Sequence, residues 1–100
     1  MVKIEVENVI CSDLDGNEYV YSYFLTKKRD VVEFDKKADI YGIEVVSTNK
    51  DTNYYEKTST LDFTTSKEYA LETIKYLADN TVSPIHFYDV LSDNLNKSCI

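Results

Sequence analysis

The sequence has one arginine, one histidine, one proline, two glycines and no tryptophan among its 100 residues, and each scarcity removes something from consideration. Nucleic-acid affinity comes mostly from Lys and Arg displacing counterions from phosphates. With Arg29 the sole arginine and 18 acids against 11 bases, the formal charge of −7 repels a phosphate backbone, so nucleic acid is not an expected partner. Cys11 and Cys99 lack metal-ligand spacing and are expected as free thiols. His86 has Asp89 as its nearest acid in sequence and no second His or Cys at ligand distance, which points to a structural histidine rather than a general base or metal ligand. No G-x-S-x-G elbow occurs. Apolar runs such as Val9-Ile10-Cys11 are far short of a membrane span, and Met1-Val2-Lys3-Ile4-Glu5 lacks the basic start and apolar block of a signal peptide. A cytoplasmic protein without a membrane partner is expected. Poverty in Gly, Pro, Arg and Trp beside abundant Lys, Asn, Ile and Tyr fits an AT-rich bacterial genome.

What is present is sufficient for a fold. An apolar fraction of 43% with 13% aromatics separates the chain from disordered sequences, and its length suits one domain, 1–100, with a β-rich part over 1–63 and two helices over 64–97. Val2 to Ser12 alternates apolar and polar residues as a half-buried strand does. Asp13-Leu14-Asp15-Gly16-Asn17 offers Asp-Gly and Gly-Asn for a tight hairpin turn, and Glu18 to Thr26 forms the second strand. A two-residue loop at either dipeptide sets even positions of the first strand against odd positions of the second. Ile4, Val6 and Ile10 then share a face with Tyr19, Tyr21, Tyr23 and Leu25. The opposite face carries Val9, Cys11, Val20 and Phe24, more apolar than a solvated sheet face needs. It is expected to be covered by Val31, Val32 and Phe34 folding back, or by a partner chain.

Lys27 to Asp39 is a mixed-charge segment, followed by a third strand, Ile40 to Thr48, and a fourth from Tyr54 to about Leu61 whose polar middle suits an exposed edge. The period then changes to that of helices. Thr65-Ser66-Lys67-Glu68 fits a capping box with Thr65 as N-cap, and Ala70, Leu71, Ile74, Leu77 and Ala78 make one apolar stripe. Asn80 is the expected left-handed C-terminal residue. Ser83-Pro84 starts a last helix with Phe87, Val90, Leu91 and Leu95 on its inner side. Strands followed by helices give an α+β fold: a four-stranded, mostly antiparallel sheet with two C-terminal helices packed on one face.

Three constellations imitate reactive sites. Val9 to Gly16, an apolar strand running into D-x-D-G, resembles the first motif of haloacid-dehalogenase-like phosphatases, which would make Asp13 a nucleophile and Asp15 an acid and base. Asn17 stands where that family has Thr, and a strand rather than a helix follows. Asp13, Asp15 and Asn17 also match the first positions of a calcium loop, but Glu18 replaces its glycine and Phe24 its bidentate glutamate. The helix pair could pass for a DNA reader, yet its second helix presents Asp89 and Asp93, which repel a duplex.

The run Val82-Ser83-Pro84-Ile85-His86-Phe87-Tyr88-Asp89-Val90, with Tyr41-Gly42-Ile43-Glu44 upstream, resembles a small uncharacterised domain family of Clostridia-like bacteria. That resemblance implies a compact bacterial domain and no activity, cofactor or catalytic residue. The expectation is a small non-enzymatic binding or regulatory protein without cofactor or metal. It would act through protein contacts or self-association, over a candidate surface of Val9, Cys11, Val20, Phe24, Asp89 and Asp93. The alternatives are an acidic inhibitor imitating nucleic acid, or a metal-assisted phosphoryl-transfer enzyme using Asp13 and Asp15.

Overall fold

Alternating apolar residues over the first two-thirds of the chain form four strands, and a helical period over the last third forms two helices. The computed structural model describes the backbone of residues 1–33 and 36–98, and the side chains of residues 1–30 and 36–92. The strands are β1 (Val2–Ser12), β2 (Glu18–Glu33), β3 (Lys36–Asn49) and β4 (Tyr55–Thr64); the helices are α1 (Lys67–Asp79) and, after a 3₁₀ turn at Pro84–His86, α2 (Phe87–Ser98). The sheet is antiparallel throughout, in the order β1-β2-β3-β4. This is the expected α+β fold, with β4 at an edge.

The helices cover one face, called inner here. Tyr23, Leu25, Ile43 and Val45 of the central strands are buried against Ala70, Ile74, Leu77, Phe87 and Leu91. Each such large apolar side chain contributes roughly 1.5–3 kcal/mol when fully buried. The Tyr23 hydroxyl donates to the Val82 carbonyl at 2.8 Å, tying the chain after α1 to the middle of the sheet. Burial pushes the Tyr23 phenol well above the ordinary tyrosine range.

The faces of β1 differ from those a two-residue turn would impose. Gly16 N–H donates to the Asp13 carbonyl at 3.2 Å and Asp13 N–H to the Asn17 carbonyl at 3.0 Å, with Gly16 at φ 84°. The loop is therefore the three-residue kind, a turn closed by a left-handed glycine. An odd loop sets like parities opposite each other: Ile10 faces Val20, Val9 faces Tyr21 and Cys11 faces Tyr19. A bulge between Glu5 and Glu7, with Val6 as the extra residue, then restores the opposite parity, so Ile4 faces Leu25. Val9 and Cys11 therefore lie on the inner face, and Ile10 on the outer one with Val20 and Phe24.

The charged segment Lys27 to Asp39 also departs from expectation, because β2 and β3 extend into it, with pairs such as Arg29 opposite Asp39 and a register shift between Val31 and Glu33. Val31 and Val32 extend β2 and do not fold back over it, and Phe34 lies outside the described residues. Only part of the outer face is covered, and locally, while Ile10 on it is exposed. Lys3 lies across the sheet with Nζ 2.9 Å from Glu44 Oε2 and 5.0 Å from the centre of the Phe24 ring, so its stem and charge cover the aromatic. Farther along, β4 bulges between its partners for Ile43 and Tyr41 and crosses over Gly42. A Cβ on Gly42 would sit 2.4 Å from the Thr60 carbonyl oxygen and 2.6 Å from Leu61 Cα, so only glycine fits under that crossing.

The helix ends depart slightly as well. The N-cap of α1 is Ser66, one residue after Thr65; its Oγ accepts from Tyr69 N–H at 3.2 Å, while Ser66 N–H donates to Thr64 Oγ1 at 3.0 Å. At the other end the left-handed residue is Thr81, φ 50°, not Asn80. Thr81 N–H donates to the Ala78 carbonyl and Val82 N–H to the Leu77 carbonyl, the paired bonds of a Schellman stop.

Candidate functional site

The residues singled out from sequence do not converge. Val20 and Phe24 are on the outer face, Val9 and Cys11 on the inner face, and Asp89 is exposed on α2; the Asp93 side chain lies outside the described residues. The Asp13 carboxylate is occupied by its own turn. Oδ1 accepts from the N–H groups of Asp15 at 3.0 Å and Asn17 at 2.9 Å, and Oδ2 accepts from Asn17 Nδ2 at 3.2 Å. The Asn17 bonds above all hold its pKa below the ordinary aspartate value. The strand after this turn is antiparallel, unlike the parallel architecture of the dehalogenase-like phosphatases, so the D-x-D-G run serves as turn chemistry. His86 is exposed, and its N–H closes the 3₁₀ turn on the Ser83 carbonyl at 3.1 Å. Among the described residues, no three His, Cys, Asp or Glu side chains converge as a metal-ligand set, and no helix is long and apolar enough to cross a membrane.

The site the fold does build is a cleft of about 270 Å³ at the turn end of the inner face. Register brings its floor together: Tyr19 pairs with Asn49, Tyr21 with Ser47, and Ser47 in turn with Glu56. Tyr54 closes one end, and Pro84 and Ile85 form the roof. The cleft lies between this end of the sheet and the 3₁₀ turn. Among the described residues lining it, Glu56 is the one charged side chain. Tyr21 is pushed up to about 12 by burial first, and then by its hydrogen bond and electrostatic interaction with Cys11. The lining thus brings three tyrosines together with one carboxyl side chain.

A family model covers residues 1–97, and its description is a family of unknown function, DUF6514. The chain belongs to that family. No curated protein and no solved structure matches it. Family membership therefore carries no activity to this chain, and the cleft has to be read from its own chemistry.

The cleft beside β4 continues into a shallower groove of about 510 Å³ between the free edge of that strand and the 3₁₀ turn. Tyr54, Tyr55 and Ile85, which line it, are exposed. Sequence reasoning missed this site. The alternation of Tyr19, Tyr21 and Tyr23 signalled an aromatic inner face. Nothing local to those residues showed that Pro84 and Ile85 return to roof it.

Proposed function

We propose that the protein is a small non-enzymatic binding or regulatory protein that acts through protein contacts, and that its cleft receives a cationic group, such as a Lys or Arg side chain of a partner. The observation that carries this reading is the lining: Tyr19, Tyr21 and Tyr54 with Glu56 as the one carboxylate. Aromatic faces attract cations, by about 0.5–1 kcal/mol at exposed sites and more when water is displaced. The chain's net charge of −7 adds a field that draws cations and repels anions. The proposed setting is the bacterial cytoplasm, in keeping with Cys11 as a free thiol. The acidic-inhibitor alternative gains no support from the exposed Asp89 alone.

n-Butylammonium and its neutral isostere n-butanol distinguish this reading from plain hydrophobic binding. In NMR titrations the ammonium is expected to shift the ring signals of Tyr19, Tyr21 and Tyr54, and Glu56→Gln to weaken it about fivefold. Equal effects from the alcohol, or none from the ammonium, overturn it.

A further inference from the structure

We infer that the partner segment binds as an extended strand added to the free edge of β4, with a basic side chain placed beside Glu56. The inference deepens the cation-binding reading and rests on it.

The hydrogen-bond alternation of the β3–β4 ladder defines the open edge. Asn49 N–H donates to the Tyr54 carbonyl at 2.8 Å and the Asn49 carbonyl accepts from Asn53 N–H at 2.9 Å, so the main-chain groups of Asn49 point toward the β4 side. Main-chain groups in an antiparallel ladder alternate between partner and free side. Through the register, Ser47–Glu56 and Val45–Thr58 are then bonded pairs, and the main-chain groups of Tyr55, Lys57 and Ser59 point away from the sheet. The Tyr88 hydroxyl donates to the Ser59 carbonyl at 2.7 Å, which agrees with this assignment and stops the edge at that point. Tyr55 and Lys57 remain as a short template, flanked on the inner side by Pro84 and Ile85.

Geometry then selects the partner's chemistry. A strand added there lies about 4.8 Å from β4, and its residue opposite Glu56 shares the inner face with a Cβ separation of about 5 Å. A Lys or Arg at that position reaches both the Glu56 carboxylate and the tyrosines. The neighbouring partner residues face outward with Tyr55 and Lys57, and the charge of Lys57 disfavours a basic side chain directly opposite it. The other sheet edge is a poorer template, because β1 carries the Val6 bulge and is flanked by Glu5 and Glu7. A second copy of this chain is disfavoured by its −7 charge.

The test uses the full chain and a short peptide of alternating threonine and valine with one central lysine, read by amide hydrogen exchange and by affinity. The expected result is slowed exchange at Tyr55 and Lys57, with affinity falling about tenfold or more when the amides flanking the lysine are N-methylated. Replacing the lysine by glutamate should abolish binding. If the peptide shifts the cleft tyrosines while Tyr55 and Lys57 exchange as before, or if N-methylation changes nothing, strand addition is wrong and the cation reading stands. If neither the peptide nor n-butylammonium binds, both fail. Protection of the Tyr55 and Lys57 amides that grows with protein concentration and without peptide assigns the edge to self-association, and also overturns the inference.

Discussion

Tyr21 joins the core to the cleft, and its ionisation reports on both. Its phenol is pushed from the ordinary value of about 10 to about 12, chiefly by burial. A raised folded-state pKa means the folded chain holds the proton that the unfolded chain releases. The associated stability is complete below about pH 10 and is lost as pH rises through about 12. Denaturant titrations across that window should show the unfolding free energy falling, with the fall shallower in Tyr21→Phe. Tyr23, also raised by burial, keeps part of the slope in that variant. An identical slope in Tyr21→Phe would mean that Tyr21 is solvated in the folded chain. Asp13 works in the opposite direction: its depressed pKa stabilises the turn at neutral pH, a contribution lost as pH falls through the folded value.

At the scale of elements, the end of α1 carries a cost that substitution can remove. Thr81 is β-branched and holds φ 50°, a region where its Cβ crowds the backbone and glycine does not. Thr81→Gly should stabilise the protein by about 1 kcal/mol, measured as a higher urea midpoint with unchanged slope; a lower midpoint would show that the threonine side chain earns its place by contacts. The same stop shows how far elements could be read from sequence. Ala70, Ile74, Leu77 and Ala78 announced α1 because a 3.6-residue period survives any error at the ends, whereas the N-cap fell on Ser66 beside Thr65 because both hydroxyls offer the same capping chemistry, and Asn80 caps the end while the left-handed turn falls one residue later on Thr81. Strand faces were less legible. Asp15-Gly16 and Gly16-Asn17 both suggested a two-residue loop, yet Asp13 closes a longer one, and the Val6 bulge leaves no mark in an alternating sequence. The mixed charges of Lys27 to Asp39 concealed a strand pair because opposite charges such as Arg29 and Asp39 are placed across from each other only by the register, which local sequence does not carry. The cleft was half legible for a related reason: its tyrosines alternate visibly, but its roof comes from residues more than a helix away.

At the scale of the whole molecule, the sheet outgrows its helical cover. The molecule measures 53 × 33 × 17 Å, and the buried core lies over the middle of β2 and β3 while their ladder continues to Glu33 and Lys36. Lys28 to Asp30, paired with Ala38 to Ile40, lies beyond the core cluster and is held by backbone bonds and by surface pairs such as Lys28 with Asp62 and Lys27 with Asp39 at 4.0 Å. Local opening should begin there, so the amides of Lys28 to Asp30 should exchange faster than those of Tyr21 to Leu25; equal protection would mean that the ladder opens only with the whole fold. The odd-length first turn and the extra residue at Val6 have a lasting consequence for the lineage of the chain. They behave as two compensating frameshifts in a two-letter code of inside and outside: either alone would turn the amino-terminal half of β1 over, taking Lys3 away from Glu44 and Phe24 and moving Ile4 from the side of Leu25 to the outer face. A change that removes one of them keeps the faces of β1 only if it removes the other as well.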